Sequence, residues 1–157
     1  MKPTELLKKF LMEAEFASIL TGAGMSTESG LRDFRGKDGW WKGRNPYDIP
    51  DIDALGREDK SEFLEFYTHR ILELGKHSPN KGHHILEDWQ DQGYIQQVIT
   101  QNVDGYHHNE GLLELHGNLN YVHCMDCGCQ YLSTRYLLNA GNGHVCRCGG
   151  FLRPNVV

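Results

Sequence analysis

Apolar residues near the start of the chain repeat at intervals of three and four. The positions are Leu6, Leu7, Phe10, Leu11 and Ala14. This spacing predicts an amphipathic helix from Thr4 to Ala14. The uninterrupted apolar run from Phe16 to Leu20 predicts a short buried strand. A glycine-rich segment follows directly, so the chain opens with the order helix, strand and loop.

The middle of the chain repeats this alternation of helix and strand patterns. A helix is predicted from Ser61 to Leu74, with Ser61 as its N-cap and Gly75 just past its end. A further helix is predicted from Lys81 to about Gln92. The apolar segment from Tyr94 to Thr100 predicts a second buried strand, and Leu112 to Leu115 predicts a short third strand. Helices that alternate with apolar strands indicate an α/β fold with a parallel sheet.

Composition narrows the class of protein. The chain has 157 residues and is 39% hydrophobic, which suits one globular core. Its formal net charge is −5 and it has no block of lysine or arginine, so nucleic acid is not an expected partner. No apolar run approaches the ~18 residues of a membrane span, and the first residues do not resemble a signal peptide. We therefore expect a cytoplasmic protein with no membrane association.

The five cysteines are clustered between Cys124 and Cys148. Cys124-x2-Cys127 precedes a glycine, and after 18 further residues Cys146-x-Cys148 precedes two glycines. Two such cysteine turns can close a tetrahedral thiolate site, so the spacing predicts structural zinc. Cys129 is left over as a competing ligand. Free thiols or disulfides are the alternative, and the clustering favours a reducing compartment.

The stretch "TGAGMSTESGLRDFRG", from Thr21 to Gly36, follows the first predicted strand. A loop between a strand and a helix presents backbone N–H groups to a phosphate, and glycine permits close approach. The glycines alone fit an ordinary tight turn equally well, because the full GxGxxG fingerprint is absent. The following Arg32, Asp33, Phe34 and Arg35 bring more polar and aromatic groups than a turn requires, which favours a dinucleotide.

The stretch "TQNVDGYHH", from Thr100 to His108, follows the second predicted strand. The carboxyl ends of parallel strands meet at one edge of a sheet, so Gln101, Asn102 and Asp104 are expected to face the same crevice as the glycine loop. Amide and carboxylate groups can pair with a carboxamide such as that of nicotinamide. Taken alone, the segment is as well explained by a polar turn.

Histidines supply the remaining candidate chemistry. His116 in "ELHGN" follows the short third strand. Beside an NAD crevice its imidazole is suited to accept a proton near neutral pH, although a lone histidine is more often structural. The adjacent pairs His83-His84 and His107-His108 could in principle bind metal. Neighbouring side chains diverge, however, so a solvated surface is the expectation for both pairs.

Together "GAGMSTESGLRDFRG", "TQNVDGYH", "ELHGN", the paired cysteines and the final "CGGFLRPNVV" resemble the sirtuin family of NAD-dependent protein lysine deacylases, in its bacterial type. The resemblance runs from about Phe16 to the last residue. It implies a Rossmann-like large domain and a small zinc-bearing domain, with NAD and the acyl-lysine meeting between them. These motifs occur in the family's order, which makes the resemblance specific.

The resemblance also implies roles for individual residues. The cofactor-binding residues would be Gly22, Ala23, Gly24, Ser26, Thr27, Asp33, Phe34, Arg35, Gln101, Asn102, Val103, Asp104 and His116. Phe34 and Arg35 would cover the nicotinamide ribose, His116 would act as the general base, and Asn102 would also be catalytic. The zinc ligands would be Cys124, Cys127, Cys146 and Cys148.

The implied reaction is a displacement at NAD. The acyl oxygen of the modified lysine attacks the anomeric carbon and releases nicotinamide, and acylated ADP-ribose and free lysine result. Tyr67 and Arg70 match a Tyr-x-x-Arg pair that receives succinyl or malonyl groups in some sirtuins, whereas a core tyrosine and a surface arginine are the plain alternative. Two further hypotheses are an NAD hydrolase or ADP-ribosyltransferase, and a non-catalytic zinc module that mediates interactions.

The domain division expected from this resemblance is discontinuous. Residues 1–35 and 81–120 would form the NAD-binding part, 36–80 the cofactor loop and helices of the small domain, 121–152 the zinc module, and 153–157 the return to the Rossmann part. Residues 36–59 are expected to be irregular. Arg32 departs from the family by standing where proline is common. The family continues past "RPNVV", so we expect this chain to be the first part of a longer sirtuin, or a shortened form that binds NAD poorly.

Overall fold

The computed structural model describes residues 2–33, 36, 37, 39, 42, 61–135 and 144–157. Most of the irregular segment expected at 36–59 therefore lies outside the described residues, as do Phe34 and Arg35. The described parts include every cysteine, the glycine loop as far as Asp33 and the stretch from Thr100 to His108.

The chain begins with the predicted order of elements. Helix α1 spans Pro3–Glu13, and strand β1 spans Ser18–Thr21. A seven-residue 3-10 helix, Ala23–Ser29, follows with only Gly22 between it and the strand. The helix and strand bounds lie within two residues of those predicted from the apolar spacing, as is usual for element ends.

A parallel sheet positions the two polar loops. Strand β2 spans Gln97–Thr100 and strand β3 spans Leu113–Glu114, and the sheet order is β1-β2-β3. Thr21 pairs with Thr100, and Thr100 pairs with Glu114, so the three strands end level with one another. The segments that leave these strands consequently start at the same edge of the sheet.

Two helices complete the described part of the α/β unit. Helix α2 spans Ser61–Leu74, as predicted, and buries an aromatic and aliphatic face that includes Phe63, Phe66 and Ile71. Helix α3 spans Lys81–Asp91 and is capped by the side chain of Asn80. The buried residues of the α3 side form a second, smaller cluster with strand β2.

An antiparallel sheet lies after the parallel one. Strand β4 spans Gly117–Cys124, β5 spans Gln130–Leu132 and β6 spans Leu152–Val156, in the order β5-β4-β6. The boundary expected at 120/121 falls inside β4. Leu152 to Val156 pair with β4 as strand β6, and the return to the Rossmann part at 153–157 stays a prediction.

The first strand is not buried as its apolar run predicts. Phe16 is 64% exposed and Leu20 is 61% exposed, and on α1 Phe10 is 58% exposed. The reason is that the described residues pack on only one side of this strand, where Ile19 and Leu11 touch the smaller core cluster. None of the helices described here has the length and apolar character of a membrane span.

Gly117 is the glycine on which the junction between the two sheets depends most directly. Its φ is +79°, and a Cβ there would lie against the backbone carbonyl oxygen of Asn155 in the neighbouring strand. Gly111 also has a positive φ, +64°, but a Cβ there would meet nothing within 4 Å. Comparing alanine substitutions at Gly117 and Gly111 therefore separates the energetic cost of backbone strain from that of steric overlap.

We expect Gly117→Ala to lower the free energy of unfolding by about 2–5 kcal/mol, because αL strain of about 1–2 kcal/mol adds to overpacking of about 1–3 kcal/mol. Gly111→Ala should show only the strain, about 1–2 kcal/mol. Urea denaturation of both variants with zinc present measures the difference. Equal losses in the two variants would show that the contact with Asn155 is unimportant.

Candidate functional site

The glycine loop, residues 22–24, has free space next to its backbone. Gly22 has φ −142°, and neither Gly22 nor Gly24 is among the glycines with positive φ. A Cβ at either position would meet no atom within 4 Å. Neither backbone conformation nor packing among the described residues requires glycine here. The N–H of Met25 donates to the carbonyl oxygen of Gly22, whereas the N–H groups of Ala23 and Gly24 precede the first turn and have no carbonyl partner inside the helix Ala23–Ser29.

Asn102 is held by contacts from three directions. Its side-chain amide donates to the carbonyl oxygen of Gly22, at 3.1 Å, and to the hydroxyl of Ser26, at 3.1 Å. Its backbone N–H donates to the Thr100 hydroxyl at 3.0 Å. These bonds attach the loop after β2 to the loop after β1, as their common position at the sheet edge led us to expect.

A second set of contacts links Ser26 to Asp104 and His83. The Ser26 hydroxyl donates to Asp104 Oδ2 at 2.7 Å, and Asp104 Oδ1 accepts the backbone N–H of Tyr106 at 3.0 Å. His83, which is fully buried, places Nε2 3.5 Å from the same Ser26 hydroxyl. His83 Nδ1 accepts the backbone N–H of Asn80, so the proton of the neutral ring is on Nε2.

His107 joins this network through contacts with Thr21 and His83. Its Nε2 lies 2.9 Å from the Thr21 hydroxyl, which donates to the Thr100 hydroxyl at 2.8 Å. His107 and His83 face each other with ring centroids 4.7 Å apart. Burial lowers the pKa of both imidazoles, and the proximity of His107 lowers that of His83 further, whereas Asp104 acts in the opposite direction on both.

His116 lies beside this network, in the turn between β3 and β4. Its ring is exposed, and Nδ1 is 3.0 Å from the carbonyl oxygen of Gln101. A carbonyl can only accept, so in the neutral ring Nδ1 carries the proton and Nε2 keeps a free lone pair. This is the tautomer that a general base needs.

An open cleft of about 410 Å³ adjoins the glycine loop. Five residues predicted for the cofactor site line it, and the substrate candidate Arg70 does so too. The residues are Ala23, Ser26, Asn102, Val103, Asp104 and Arg70. Arg32 and Glu73 form another part of the wall and lie 3.8 Å apart as an ion pair.

Other predicted site residues lie at the margin or elsewhere. Thr27 donates to the carbonyl oxygen of Gly24, and Asp33 accepts the backbone N–H of Gly36, so both stabilise the loop itself. Tyr67 is only 3% exposed and packs between Phe63 and Phe66, one turn of α2 away from Arg70. Gly22, Gly24, Gln101 and His116 adjoin the cleft residues without being among its lining.

The four predicted metal ligands converge. The sulfurs of Cys124, Cys127, Cys146 and Cys148 lie within 4.8 Å of one another. Cys124 and Cys148 are 3.5 Å apart, and Cys127 and Cys146 are 3.7 Å apart, close to the ~3.8 Å edge of a tetrahedral zinc–thiolate site. None of the five cysteines, all of which are described, forms a disulfide. The cluster can hold zinc, and Cys129 is outside it.

Sequence reasoning missed the two buried histidines. His83 and His107 were expected, with their neighbours, on a solvated surface, and that expectation is wrong for these two residues. Each adjacent pair does diverge, which buries one ring and exposes the other. The apolar spacing of α3 contained part of the signal, because His83 lies three residues before the buried Leu86.

We expect the buried histidine pair to make the fold sensitive to acid. Their folded-state pKa values are lowered from the ordinary 6.5, so below that pH the unfolded chain binds more protons. Their contribution to stability is complete above about pH 6.5 and is lost as the pH falls. His107→Gln should therefore lose less stability than the parent between pH 7.5 and 6.0. Urea denaturation at both pH values measures this.

His69→Gln, at an exposed position on α2, is the control and should keep the parent's pH dependence. Zinc affects all three proteins equally, since the cysteines are unchanged. If the stability of the parent protein does not change between pH 7.5 and 6.0, the buried histidine pair is not the source of acid sensitivity.

The chain is similar in sequence to known proteins. An NAD-dependent protein deacetylase of Oceanobacillus iheyensis is 43% identical over 156 residues, which are 97% of this chain and 64% of that protein. An NAD-dependent protein deacylase of Aeropyrum pernix is 41% identical over 152 residues, or 95% of this chain and 61% of that protein. The chain thus spans about three fifths of the length of these relatives.

A solved structure of Sir2 with a p53 peptide and NAD+ superposes with a TM-score of 0.85 and 32% identity, covering 100% of this chain and 64% of that one. The fold is therefore the Rossmann-like α/β fold of Sir2 structures. The Sir2 family model matches residues 22–157, from the glycine loop to the end of the chain. The chain belongs to the Sir2 family.

Proposed function

We propose that the protein of which these residues form part removes acyl groups from protein lysines with consumption of NAD, and yields nicotinamide and acylated ADP-ribose. The observation that carries this proposal is the open glycine loop beside Asn102. Among the described residues, neither backbone conformation nor packing requires glycine at positions 22 and 24, so close approach of a ligand would explain both.

The loop suits the phosphates of a dinucleotide. The N-terminal N–H groups of the 3-10 helix, Ala23–Ser29, lie directly after β1, where α/β proteins bind phosphates. Small side chains at 22–24 leave a ligand free to reach the backbone. Asn102 and Asp104 line the adjoining cleft, and they offer the amide and carboxylate groups that a carboxamide or ribose hydroxyl can bond.

His116 and Asn102 would perform the chemistry. The Nδ1–H bond to Gln101 orients the imidazole of His116, and Nε2 is the atom that would take a proton from a ribose hydroxyl. Asn102 is fixed by its contacts with Gly22 and Ser26, so it would present a preorganised amide to the nicotinamide ribose. NAD, when bound, supplies an electrophilic anomeric carbon and a nicotinamide leaving group.

The names of the relatives favour this reaction over the alternatives. They are NAD-dependent protein deacetylases and a deacylase, and solved Sir2 structures hold a propionylated peptide or a p53 peptide with NAD+. We therefore propose acyl-lysine proteins as partners and the cytoplasm as the location. An NAD hydrolase or ADP-ribosyltransferase, or a non-catalytic zinc module, would need to leave either the cleft or His116 unused.

Nicotinamide release measures which of these reactions occurs. With NAD and an acetyl-lysine peptide, we expect release that depends on the peptide, and His116→Ala should abolish turnover because the ribose hydroxyl then lacks a base. Release without peptide would indicate hydrolysis or ADP-ribosylation. For the whole protein of which these residues form part, no release in the presence of both ligands would indicate the non-catalytic module, and either of these results contradicts the proposal.

A matched pair of glycine variants tests the loop itself. Gly24→Ala should leave the free energy of unfolding within about 0.5 kcal/mol of the parent, since a Cβ there is unhindered. It should weaken NAD binding, measured by isothermal titration calorimetry, by about tenfold or more through steric exclusion of the phosphates. Gly111→Ala, at a second unhindered position outside the loop, should bind NAD like the parent.

We further propose that Arg70 selects acidic acyl groups such as succinyl or malonyl. Arg70 lines the cleft with Asn102 and Val103, and its guanidinium lies 5.6 Å from the centre of the Phe66 ring. Burial lowers the pKa of Arg70, which reflects a poorly solvated charge, and Tyr67, Asp104 and Glu73 partly offset this effect. A carboxylate entering the cleft would pair with that charge. We propose Tyr67 as the second residue of this pair; it is buried one helical turn from Arg70 and is not among the residues that line the cleft.

Comparing two peptides on one variant tests this selection. Arg70→Gln should lower kcat/KM for a succinyl-lysine peptide by roughly tenfold or more, because a charge-assisted bond is lost. The same variant should lose much less with an acetyl-lysine peptide, and that rate also reports that the protein is folded. Equal rates of the parent and the variant on the succinyl peptide would contradict the role of Arg70.

A further inference from the structure

Arg32 and Glu73 form a charged part of the cleft wall that has no role in the function proposed above. Arg32 lies just past the glycine-rich segment, at the position where proline is common in sirtuins, and Glu73 lies in helix α2. Nε of Arg32 is 3.8 Å from Oε1 of Glu73, and both residues line the cleft. The side chain of Glu73 is only 16% exposed, whereas that of Arg32 is 57% exposed. A mostly buried carboxylate is thus paired with a cation that solvent reaches more easily.

Glu73 acts on Arg70 as well as on Arg32. Arg70 and Glu73 are three residues apart in α2, so they share one face of the helix, and both line the cleft. Burial lowers the pKa of Arg70, and Tyr67, Asp104 and Glu73 partly offset this effect. Among the residues that the structure describes, however, Arg32 is the only cation within ion-pair distance of Glu73. One carboxylate therefore interacts with two arginines and is paired with the one outside its helix.

The other carboxylate in the cleft wall has different partners. Asp104 Oδ2 accepts a hydrogen bond from the Ser26 hydroxyl, and Oδ1 accepts one from the backbone N–H of Tyr106. Both oxygens are thus bonded within the buried network, and neither depends on Arg32. Replacing Arg32 by a neutral residue would therefore change the charge balance of the cleft mainly through Glu73.

We propose that the Arg32–Glu73 pair determines how well the cleft accepts acidic acyl groups, with Arg32 neutralising a carboxylate that otherwise competes for Arg70. This inference rests on the proposed deacylase function and on the role proposed there for Arg70. A succinyl or malonyl group carries the same charge as Glu73, so in one cleft the two carboxylates repel each other and compete for the same guanidinium. Pairing of Arg32 with Glu73 reduces both effects. An acetyl group is uncharged, and this balance affects it little.

The effect belongs to substrate binding rather than to the chemical step. Methylene carbons separate the acyl carboxylate from the carbonyl group that reacts with NAD, so the carboxylate keeps its charge throughout the reaction. An interaction that is equal in the ground state and the transition state changes KM and leaves kcat unchanged. Loss of Arg32 should therefore raise KM for a succinyl-lysine peptide.

A double-mutant cycle on the whole protein, with zinc bound, tests the inference. The value of kcat/KM is measured with NAD and with succinyl-lysine and acetyl-lysine versions of one peptide. Arg32→Gln should lower the succinyl-to-acetyl ratio of kcat/KM by roughly threefold or more, through KM of the succinyl peptide. Glu73→Gln should raise this ratio. In the Glu73→Gln background, Arg32→Gln should have little further effect, because no charge remains for Arg32 to neutralise.

Lys76→Gln is the matched control. It removes the same charge from an exposed position just past the end of α2, outside the cleft lining, and should keep the succinyl-to-acetyl ratio of the parent. Turnover of the acetyl peptide also reports that each variant is folded and binds NAD.

Several results would overturn the inference. An unchanged ratio in Arg32→Gln, or equal losses on both peptides, would show that the pair only supports the structure of the loop. Equal losses of the ratio in the parent and Glu73→Gln backgrounds would show that Arg32 attracts the acyl carboxylate directly. A parent that acts on the acetyl peptide but not on the succinyl peptide also contradicts the inference and leaves the deacylase function intact. A parent inactive on both peptides contradicts the deacylase function itself, and the inference falls with it.

Discussion

The parallel pairing of β1 with β2 is the constraint on which the candidate site depends. It sets Thr21 opposite Thr100, so the two loops that follow begin side by side. Their hydroxyls hydrogen-bond, and the Thr100 hydroxyl also accepts the backbone N–H of Asn102. A shift of β2 by one residue would turn Thr100 to the other face of the sheet, away from Thr21, and would separate the glycine loop from the amide of Asn102.

Below this pairing, a buried polar network makes the arrangement rigid. Asn102, Ser26 and Asp104 are each hydrogen-bonded to residues from another segment, and His83 and His107 complete the network from the helix and loop sides. Buried polar groups are costly unless they are paired, so the network permits few alternative conformations. Burial in the same network lowers the pKa of both histidines.

Several elements could be predicted closely from local patterns. The helix from Ser61 to Leu74 has the bounds that its apolar spacing and the following glycine indicated. The cysteine spacing indicated a four-thiolate cluster, and the four sulfurs do converge. The burial of the strand from Phe16 could not be predicted in this way, since burial depends on what packs across the strand. The motif near His107 pointed to a polar loop, yet which of its histidines is buried depends on α3, far away in the sequence.

The sequence by itself determined the order of helices and strands, the cysteine spacing and membership of the Sir2 family, because these follow from residues close together in the chain. Only the tertiary structure decided which polar groups meet. It brings Asn102 to Gly22, orients His116 through the carbonyl of Gln101, and divides each histidine pair between core and surface. These are contacts between segments distant in sequence, and they are fixed by strand register and helix packing, which no local pattern encodes.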